Sequence, residues 1–423
     1  MLNLVYTDNS GNIFKDEAHC AAARSGDFTF LPADFEFIDV PGESKLFFIP
    51  DSKPLCFDKR DFSVKHFDKG LALSVFLPPG YLRLYLPAYI RNTQKRLPFY
   101  AYANVAIKGN VLKTSAIKID DDTNWNPSHF DFTEEFVNIT TPVASRFKNN
   151  RIVKQLCKCA LQYHCTAAKN FFYGINEAPV PTSPHCNSKC LGCISLNSES
   201  LTAPHERLVF EPEVEEIVEL SLFHADRASN ALVSFGQGCE GDPIMVADII
   251  AKAVKKIKML RPELTVNFNS NCSKPDKLKK ILDAGIDSVR VTIFSAEEEL
   301  YNKYHRPAGY VFEDVLKSIE LANSYNIFVS LNLLVFPGIT DRRSQVEALE
   351  KLLATYRINL IQMRNLNIDP EYLLENIKLE SDEILGLKNM LKRLKKNYKH
   401  LMFGYFNRPK SLFDKEIFHL NLK

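Results

Sequence analysis

The stretch Cys186-Asn-Ser-Lys-Cys190-Leu-Gly-Cys193 decides the fold of this 423-residue chain. It places three thiols at three- and two-residue spacing, with no fourth cysteine close by in the sequence. Cysteine thiolates hold iron–sulfur cubes, normally with four ligands. Three ligands leave one iron open, and an open coordination position is where a metal site does chemistry. The spacing therefore predicts a reactive metal site with Cys186, Cys190 and Cys193 as ligands.

This loop resembles the cluster loop of the radical S-adenosylmethionine (SAM) superfamily. In that family the open iron is chelated by the amino and carboxylate groups of SAM, and an electron splits SAM into methionine and a 5′-deoxyadenosyl radical. The resemblance implies a [4Fe–4S] cluster, SAM, and a reducing partner such as flavodoxin or ferredoxin. The alternative is a zinc knuckle, with His185 or a distant cysteine as fourth ligand.

The composition sets outer bounds on the class of protein. Hydrophobic residues at 45% and charged residues at 25% are ordinary globular values. A net charge of +2 gives no nucleic-acid signal by itself. Ten cysteines without a signal peptide indicate a reducing compartment, and no stretch approaches the ~18 apolar residues of a membrane span. We therefore expect a cytoplasmic protein that has no membrane partner and for which nucleic acid is not the expected ligand.

The pattern of hydrophobic residues predicts four segments. Residues 1–148 alternate as short strands, with a turn at Gly109-Asn110, and form a β-rich domain that we expect to shape the substrate pocket. Residues 149–175 have helical periodicity and form a connector. Residues 176–370 form the catalytic core, and 371–423 form a C-terminal helical extension with one further strand candidate at 401–406.

The core alternates strands and helices. Such alternation favours parallel strands with right-handed crossovers. Six units fit the incomplete (β/α)6, TIM-like barrel of the radical SAM superfamily, so the expected fold class is α/β with this partial barrel. The predicted strands are 178–182, 231–235, 265–270, 288–294, 327–336 and 360–366.

The loop after the second strand reads Phe235-Gly-Gln-Gly-Cys-Glu-Gly-Asp-Pro243 and resembles the Gly-Gly-Glu-Pro motif that contacts SAM in this family. Aspartate replaces glutamate in Gly241-Asp242-Pro243, and Glu240 is a competing carboxylate. The resemblance implies that the backbone here approaches the methionine end of SAM. The alternative is a plain glycine turn before a helix. The cofactor-binding residues predicted in this loop are Gly236, Gly238, Glu240, Gly241 and Asp242.

Four polar residues on the third and fourth strands complete the predicted cofactor site. In the superfamily these positions often contact the ribose and the carboxylate of SAM, which implies such contacts for Asn267, Asn269, Arg290 and Ser295. Amide and hydroxyl groups suit ribose, and arginine suits a carboxylate. A structural role is the alternative for each of them. No residue is assigned as catalytic.

Four other features of the sequence have more than one interpretation. Cys157, Cys159 and Cys165 either pack a helix face, which their spacing favours, or hold an auxiliary cluster with Cys239 or Cys272. Cys239 could also supply a thiyl radical or accept a methyl group. The segment 304–307 is either a solvated loop or a proton donor or substrate clamp. Lysines and an arginine in 388–399 give a helix a basic face, which is more typical of a solvated surface than of RNA binding.

These features predict a radical SAM enzyme that abstracts hydrogen from an unidentified small molecule or peptide. One alternative is an RNA-modifying enzyme, since Gly241-Asp242-Pro243 resembles the loop of radical SAM rRNA methyltransferases. Those enzymes need a methyl-accepting cysteine near the C-terminus, and no cysteine follows Cys272. The other alternative is a non-catalytic iron–sulfur protein.

Overall fold

The computed structural model describes residues 1–91, 93, 95–121, 125, 130, 135–198, 201–416, 418, 420 and 422. Its N-terminal part is built from short, mainly antiparallel strands. Alternation sets which face of these strands is covered: in 52–58, every second side chain is buried. The strands are β1 Asn3–Thr7, β2 Ile13–Ala21, β3 Ala23–Ser25, β4 Phe28–Phe30, β5 Ile38–Asp39, β6 Lys45–Phe48, β7 Ser52–Asp58, β8 Val64–His66, β9 Leu71–Phe76, β10 Tyr81–Arg83, β11 Leu86–Pro87, β12 Tyr89–Arg91, β13 Tyr102–Ala103, β14 Val105–Lys108, β15 Val111–Thr114 and β16 Ala116–Lys118.

The predicted turn at Gly109-Asn110 is confirmed. Lys108 pairs with Val111, so β14 and β15 form a hairpin with a two-residue loop. Gly109 has a φ of +61°, the backbone conformation that such tight hairpins require and that glycine adopts at little cost.

Helices follow this domain before the barrel begins: α1 Glu135–Arg146, α2 Arg151–Leu161 and α3 Thr166–Tyr173. The helical part thus includes α1, which precedes the predicted start at residue 149. Asn150 fixes the start of α2, because its side chain accepts a hydrogen bond from the Val153 amide at 3.1 Å. None of the described helices is long and apolar enough to span a membrane.

The second half alternates strands and helices, as predicted. Its elements are β17 Glu177–Val180, α4 Val214–Ala225, β18 Leu232–Phe235, α5 Ala247–Leu260, β19 Thr265–Ser270, α6 Pro275–Asp283, β20 Ser288–Ile293, α7 Glu298–His305, α8 Phe312–Ser324, β21 Phe328–Val335, α9 Arg343–Thr355, β22 Leu360–Asn365, α10 Pro370–Ile377, α11 Leu387–Asn397 and β23 Met402–Gly404. Across the described residues the sheet runs β17 to β23 in sequence order, and every neighbouring pair is parallel.

The predicted partial barrel corresponds to β17–β22. The strand candidate at 401–406 is β23, which pairs with β22 and extends the same sheet beyond residue 370. Apolar side chains such as Val266 and Phe268 on β19 pack into the main core with the helices. The intervening Asn267 and Asn269 contact polar groups of neighbouring strands instead. The alternation on β19 therefore separates an apolar outer layer from a polar interior.

Asn407, just after β23, connects the first strand of the sheet to the last ones. Its side chain donates to Glu177 Oε1 at 2.8 Å and accepts from Gln362 Nε2 at 2.9 Å. Glu177 begins β17, while Gln362 lies on β22. The side chains of these residues thus bridge the gap that the sheet hydrogen bonds leave open.

The N-terminal domain contacts the barrel at residues 365–371, immediately after β22. Asn365 donates to the Tyr81 carbonyl at 2.8 Å and accepts from the Arg83 amide at 3.0 Å. Arg91 and Asp369 form an ion pair of 2.9 Å whose side chains are 6% and 0% exposed. These contacts place the β-rich domain beside the carboxyl end of β22, the edge where parallel βα barrels carry their reactive groups.

Candidate active site

A cavity of about 250 Å³ lies at the carboxyl ends of the barrel strands. Cys186, Cys190 and Cys193 all line it, opposite polar residues from the ends of β19, β20 and β21. The structure therefore brings the three predicted metal ligands to one site. The lining residues are Cys186, Ser188, Cys190, Gly192, Cys193, Ile194, Arg207, Gly236, Gln237, Gly238, Glu240, Gly241, Asp242, Pro243, Asn269, Ser270, Asn271, Arg290, Thr292, Tyr304, His305, Asn332 and Leu334.

The backbone of the cysteine loop is held against the end of α7. The Lys189 amide donates to the His305 carbonyl at 3.1 Å, and the Leu191 amide donates to the Tyr304 carbonyl at 3.0 Å. Tyr304 and His305 are each 1% exposed. Of the two interpretations of 304–307, the solvated loop does not hold for Tyr304 and His305, because the helix continues through His305 and both rings are buried.

Each of the three thiols lies near a hydrogen-bond donor or a ring nitrogen. The Ser188 amide lies 3.4 Å from Cys186 Sγ, and Arg207 Nη2 lies 3.4 Å from Cys193 Sγ. His305 Nδ1 is 3.3 Å from Cys190 Sγ. Burial raises the pKa of the Cys186 thiol to about 12 and raises that of Cys190 well above its ordinary value. Metal ligation by Cys186 and Cys190 would therefore release a proton from each thiol.

The zinc-knuckle alternative needs a fourth ligand beside the three loop cysteines. His185, the predicted alternative fourth ligand, is 67% exposed and lies 3.8 Å from Glu211, outside the cavity lining.

Glu240 connects the glycine-rich loop to the end of β17. Its carboxylate accepts hydrogen bonds from the amides of Thr182, Ser183 and Gln237 at 2.6, 2.7 and 2.7 Å. Burial raises the pKa of Glu240 to about 7, whereas the three amides favour the carboxylate form. Glu240 lines the cavity, but its first task is to hold two loops together.

Asp242 has a similar role at the start of the following helix. Its carboxylate accepts from the Ile244 amide at 3.0 Å, the Ser270 hydroxyl at 2.6 Å and the Asn271 amide at 2.7 Å. It therefore caps the helical turn at Pro243–Val246 and joins it to the end of β19. Its side chain also lines the cavity, as a SAM contact requires.

The glycines of this loop are required by packing within the protein. Gly236 has a φ of +80°, and a β-carbon there would lie 1.9 Å from the Asn269 carbonyl oxygen. At Gly238 a β-carbon would meet the Ile194 side chain at 2.6 Å. Gly241 donates its amide to the Ser183 carbonyl at 2.7 Å. All three line the cavity, so close packing and backbone access to a ligand coexist in this loop.

The four strand residues of the predicted site divide into two pairs. Asn269 and Arg290 line the cavity. The structure does not bring Asn267 or Ser295 to the cavity: Asn267 donates to Ser234 and Asn269, while Ser295 bonds to Gln345 at 2.6 Å. Both side chains are buried, but neither residue lines the cavity. Contacts between these two residues and SAM stay a prediction.

The surroundings of Arg290 indicate whether the cavity can bind an anionic group. Nη1 donates to Gln362 Oε1 at 2.9 Å, but its Nε is buried without a hydrogen-bond partner among the described residues. Burial lowers the pKa of Arg290 to about 9, so it is still a cation at neutral pH. A buried donor on a cation without a carboxylate partner fits a carboxylate-bearing ligand in the cavity.

Several lining residues lie outside the predicted cofactor set. Asn271 donates to Asn187 Oδ1 at 2.9 Å and to Ser188 Oγ at 3.1 Å, which ties the end of β19 to the cysteine loop. Arg207 lies in an irregular segment whose sequence carries no periodic signal. Thr292 and Asn332, on β20 and β21, hydrogen-bond each other at 3.1 Å. Their positions on predicted inner strands were the available signal.

The additional cysteines do not form one group. Cys159 and Cys165 line a second, smaller cavity of about 90 Å³ together with Cys239 and His205, and the Cys159 and Cys239 thiols hydrogen-bond each other. Cys157 packs against the main core, and Cys272 is buried within it. Cys157 and Cys272 are thus packing residues, whereas Cys159, Cys165 and Cys239 line the same cavity. Whether they bind iron stays a prediction.

The basic helix predicted at 388–399 is α11. Leu387, Met390, Leu391 and Leu394 are its buried residues. Arg393 pairs with Glu350, and Lys395 pairs with Glu416. Carboxylates thus offset part of the basic face, in keeping with the solvated surface favoured above.

Comparisons with known proteins agree with this geometry. Residues 180–352 match the family model described as "Radical SAM superfamily". A probable GTP 3′,8-cyclase of Thermococcus kodakarensis is 28% identical over 40% of this chain and 50% of its own. The molybdenum cofactor biosynthesis protein moc-5 of Caenorhabditis elegans is 26% identical over 50% of this chain and 32% of its own. The chain thus spans half or less of these two relatives.

A solved structure, methylornithine synthase, has a TM-score of 0.38 at 14% identity, over 56% of this chain and 68% of that one. The matched residues 180–352 contain the three cysteines, the glycine-rich loop and strands β18–β21. The superfamily uses a [4Fe–4S] cluster and SAM, together with a source of electrons. Residues 180–352 of this chain thus match the radical SAM superfamily, whose members are enzymes that use a [4Fe–4S] cluster and S-adenosylmethionine.

Proposed function

We propose that this enzyme reductively cleaves SAM and uses the resulting 5′-deoxyadenosyl radical to abstract hydrogen from a small molecule or a peptide. The observation that carries the proposal is the shared cavity. It joins Cys186, Cys190 and Cys193 to the glycine-rich loop and to Arg290. The cluster, when bound, supplies the single electron that splits the carbon–sulfur bond of SAM.

The residues of the chain would bind and orient the two cofactors. The cysteine loop would hold the cluster through three thiolates, with the rigid end of α7 behind it. The Gly236–Asp242 loop would offer peptide groups to the methionine end of SAM, and the free Nε of Arg290 would receive a carboxylate. Because Glu240 and Asp242 fix both ends of the loop, the site is largely formed before SAM binds.

The β-rich domain is proposed to shape the approach of the substrate. A third cavity, of about 1180 Å³, borders Cys190. It is lined by Lys95, Arg96 and Pro98 of the N-terminal domain and by residues of the cysteine loop. Cys190 lines both this cavity and the proposed cofactor cavity. The relative from Thermococcus kodakarensis is a probable GTP 3′,8-cyclase. The match spans half of that protein, so it does not define the substrate proposed here.

The test is anaerobic reconstitution of the full chain with iron and sulfide, followed by SAM and dithionite. We expect 5′-deoxyadenosine from the wild type and none from the Cys186→Ala/Cys190→Ala/Cys193→Ala variant. Cys157→Ala, which removes a thiol outside the cavity, is the matched control and should behave as wild type. Iron bound without SAM cleavage would instead favour an electron carrier. Zinc as the only bound metal would contradict the proposal.

A reducing partner of the flavodoxin or ferredoxin class is proposed to replace dithionite in the cell. Turnover with either protein and its reductase, at rates above a control without the carrier, is the expected result. Formation of a modified nucleoside in added RNA would move the protein to the RNA-modifying alternative.

A further inference from the structure

His305 ends α7 directly behind the cysteine loop. Its ring is 1% exposed and stacks on Tyr301 with a centroid distance of 4.3 Å, while Tyr304 meets it edge-on at 4.9 Å. Packing on two sides leaves the imidazole one orientation. The ring therefore presents fixed nitrogen atoms to its surroundings.

The two ring nitrogens have different partners. The Phe294 amide, which can only donate, lies 3.1 Å from Nε2. Nε2 is therefore the acceptor and carries no proton. An imidazole with no proton on Nε2 is neutral and carries its single proton on Nδ1. Nδ1 lies 3.3 Å from Cys190 Sγ, which makes Cys190 the acceptor of an N–H···S hydrogen bond.

We propose that His305 is a positioning residue that sets the reduction potential of the cluster through its hydrogen bond to Cys190, an inference that rests on the proposed role of Cys190 as a ligand. Hydrogen bonds to cluster sulfurs are one of the means by which proteins tune these potentials. The reduced cluster carries one more negative charge than the oxidised cluster. A donor to its ligand sulfur stabilises the reduced form more and raises the potential.

The neighbouring thiols have donors of other kinds. Cys193 accepts from the Arg207 guanidinium, which is a cation, and Cys186 accepts from the Ser188 backbone amide, which only proline would remove. The donor to Cys190 is a neutral side chain held by its own second hydrogen bond to Phe294. It can therefore be exchanged without changing the charge near the cluster.

Two amide substitutions separate the two nitrogens of the ring. The amide of asparagine reaches the position of Nδ1, so His305→Asn keeps a donor for Cys190 and loses the acceptor for Phe294. The amide of glutamine reaches the position of Nε2, so His305→Gln keeps the partner of Phe294 and loses the donor for Cys190. Each variant removes one of the two hydrogen bonds.

The experiment is an EPR-monitored potentiometric titration of the reconstituted full-length protein. We expect the midpoint potential of His305→Gln to fall below that of the wild type, and that of His305→Asn to stay near it. Equal potentials for all three proteins at equal iron content would overturn the inference. Failure of the wild type to bind any cluster would instead contradict the proposed function.

A second measurement uses only the wild-type protein and does not depend on whether the variants fold. Pulsed EPR of the reduced wild type, labelled with ¹⁵N-histidine, should show a weak nitrogen coupling transmitted through the N–H···S bond. The absence of any histidine coupling would contradict the inference, whatever the state of the variants.

Discussion

Gly241 and His185 are in backbone contact. The Asp242 amide donates to the His185 carbonyl at 2.8 Å, and a β-carbon on residue 241 would lie 2.0 Å from that carbonyl oxygen. The residue before Cys186, the first of the three proposed metal ligands, thus lies against the glycine-rich loop. The two loops that would hold the two cofactors share one backbone contact, and a change in either must displace the other.

The first prediction concerns this contact. Gly241→Ala should destabilise the protein by about 1–3 kcal/mol, typical of overpacking, and lower the iron content after reconstitution. Urea unfolding and iron analysis measure the two effects. Gly42→Ala, where a β-carbon meets nothing within 4 Å and φ is not in the left-handed region, is the control and should change neither. Normal iron content in Gly241→Ala would show that the loops move independently.

The second prediction concerns the carboxylate that joins β17 to the glycine-rich loop. Three backbone amides donate hydrogen bonds to the Glu240 carboxylate. In Glu240→Gln one carboxylate oxygen becomes an NH₂ group, which cannot accept them, so the free energy of unfolding should fall by about 1–3 kcal/mol. Glu263→Gln, at a side chain that is 69% exposed, is the control. Equal urea midpoints for the two variants would mean that Glu240 contributes no net stability.

The third prediction concerns Arg290. Arg290→Met removes the buried cation with the free Nε and should weaken SAM binding about 10- to 100-fold, the value of a charge-assisted hydrogen bond. Equilibrium dialysis of labelled SAM on reconstituted protein measures this, and thermal unfolding reports any separate structural effect through Gln362. Arg261→Met, at a 40% exposed side chain, should bind SAM normally. Unchanged SAM affinity in Arg290→Met would show that this arginine binds the substrate or stabilises the fold instead of binding SAM.

The fourth prediction concerns the second thiol cavity. If Cys159, Cys165 and Cys239 are packing residues, their triple serine variant keeps about four irons per chain and loses stability, because buried hydroxyls lack partners. Cys157→Ser is the matched control on the same helix. Wild-type protein with about eight irons per chain, reduced to about four in the triple variant, would show a second cluster.

The fifth prediction concerns the attachment of the N-terminal domain. Asn365→Leu removes the donor to the Tyr81 carbonyl and the acceptor of the Arg83 amide. Since both groups are left without partners, it should cost about 2–4 kcal/mol and speed proteolysis within the N-terminal domain. Asn389→Leu, on an exposed position of α11, should be neutral in both assays.

The sequence was sufficient for the parallel core because its short strands alternate regularly with helices of clear period. It also located the three cysteines and the glycine-rich loop, since spacing and glycine are local signals. It misplaced His305, because a histidine that ends a helix and one in a loop have the same local pattern. The hydrogen-bond donors to Glu240 could not be predicted, since the amides of Thr182 and Ser183 lie 58 and 57 residues away in the sequence. Such contacts depend on how strands are arranged in space.

The ion pair between Arg91 and Asp369 has a consequence for dissecting the chain. Asp369 is fully covered, and it also accepts from the Leu97 amide at 2.9 Å, so both of these partners come from the N-terminal domain. A shortened protein that begins at the barrel would carry a carboxylate stripped of its countercharge and a newly exposed apolar surface around residues 366–373. The barrel of this chain is therefore not a portable module, and a stable fragment for expression or engineering must include the β-rich domain.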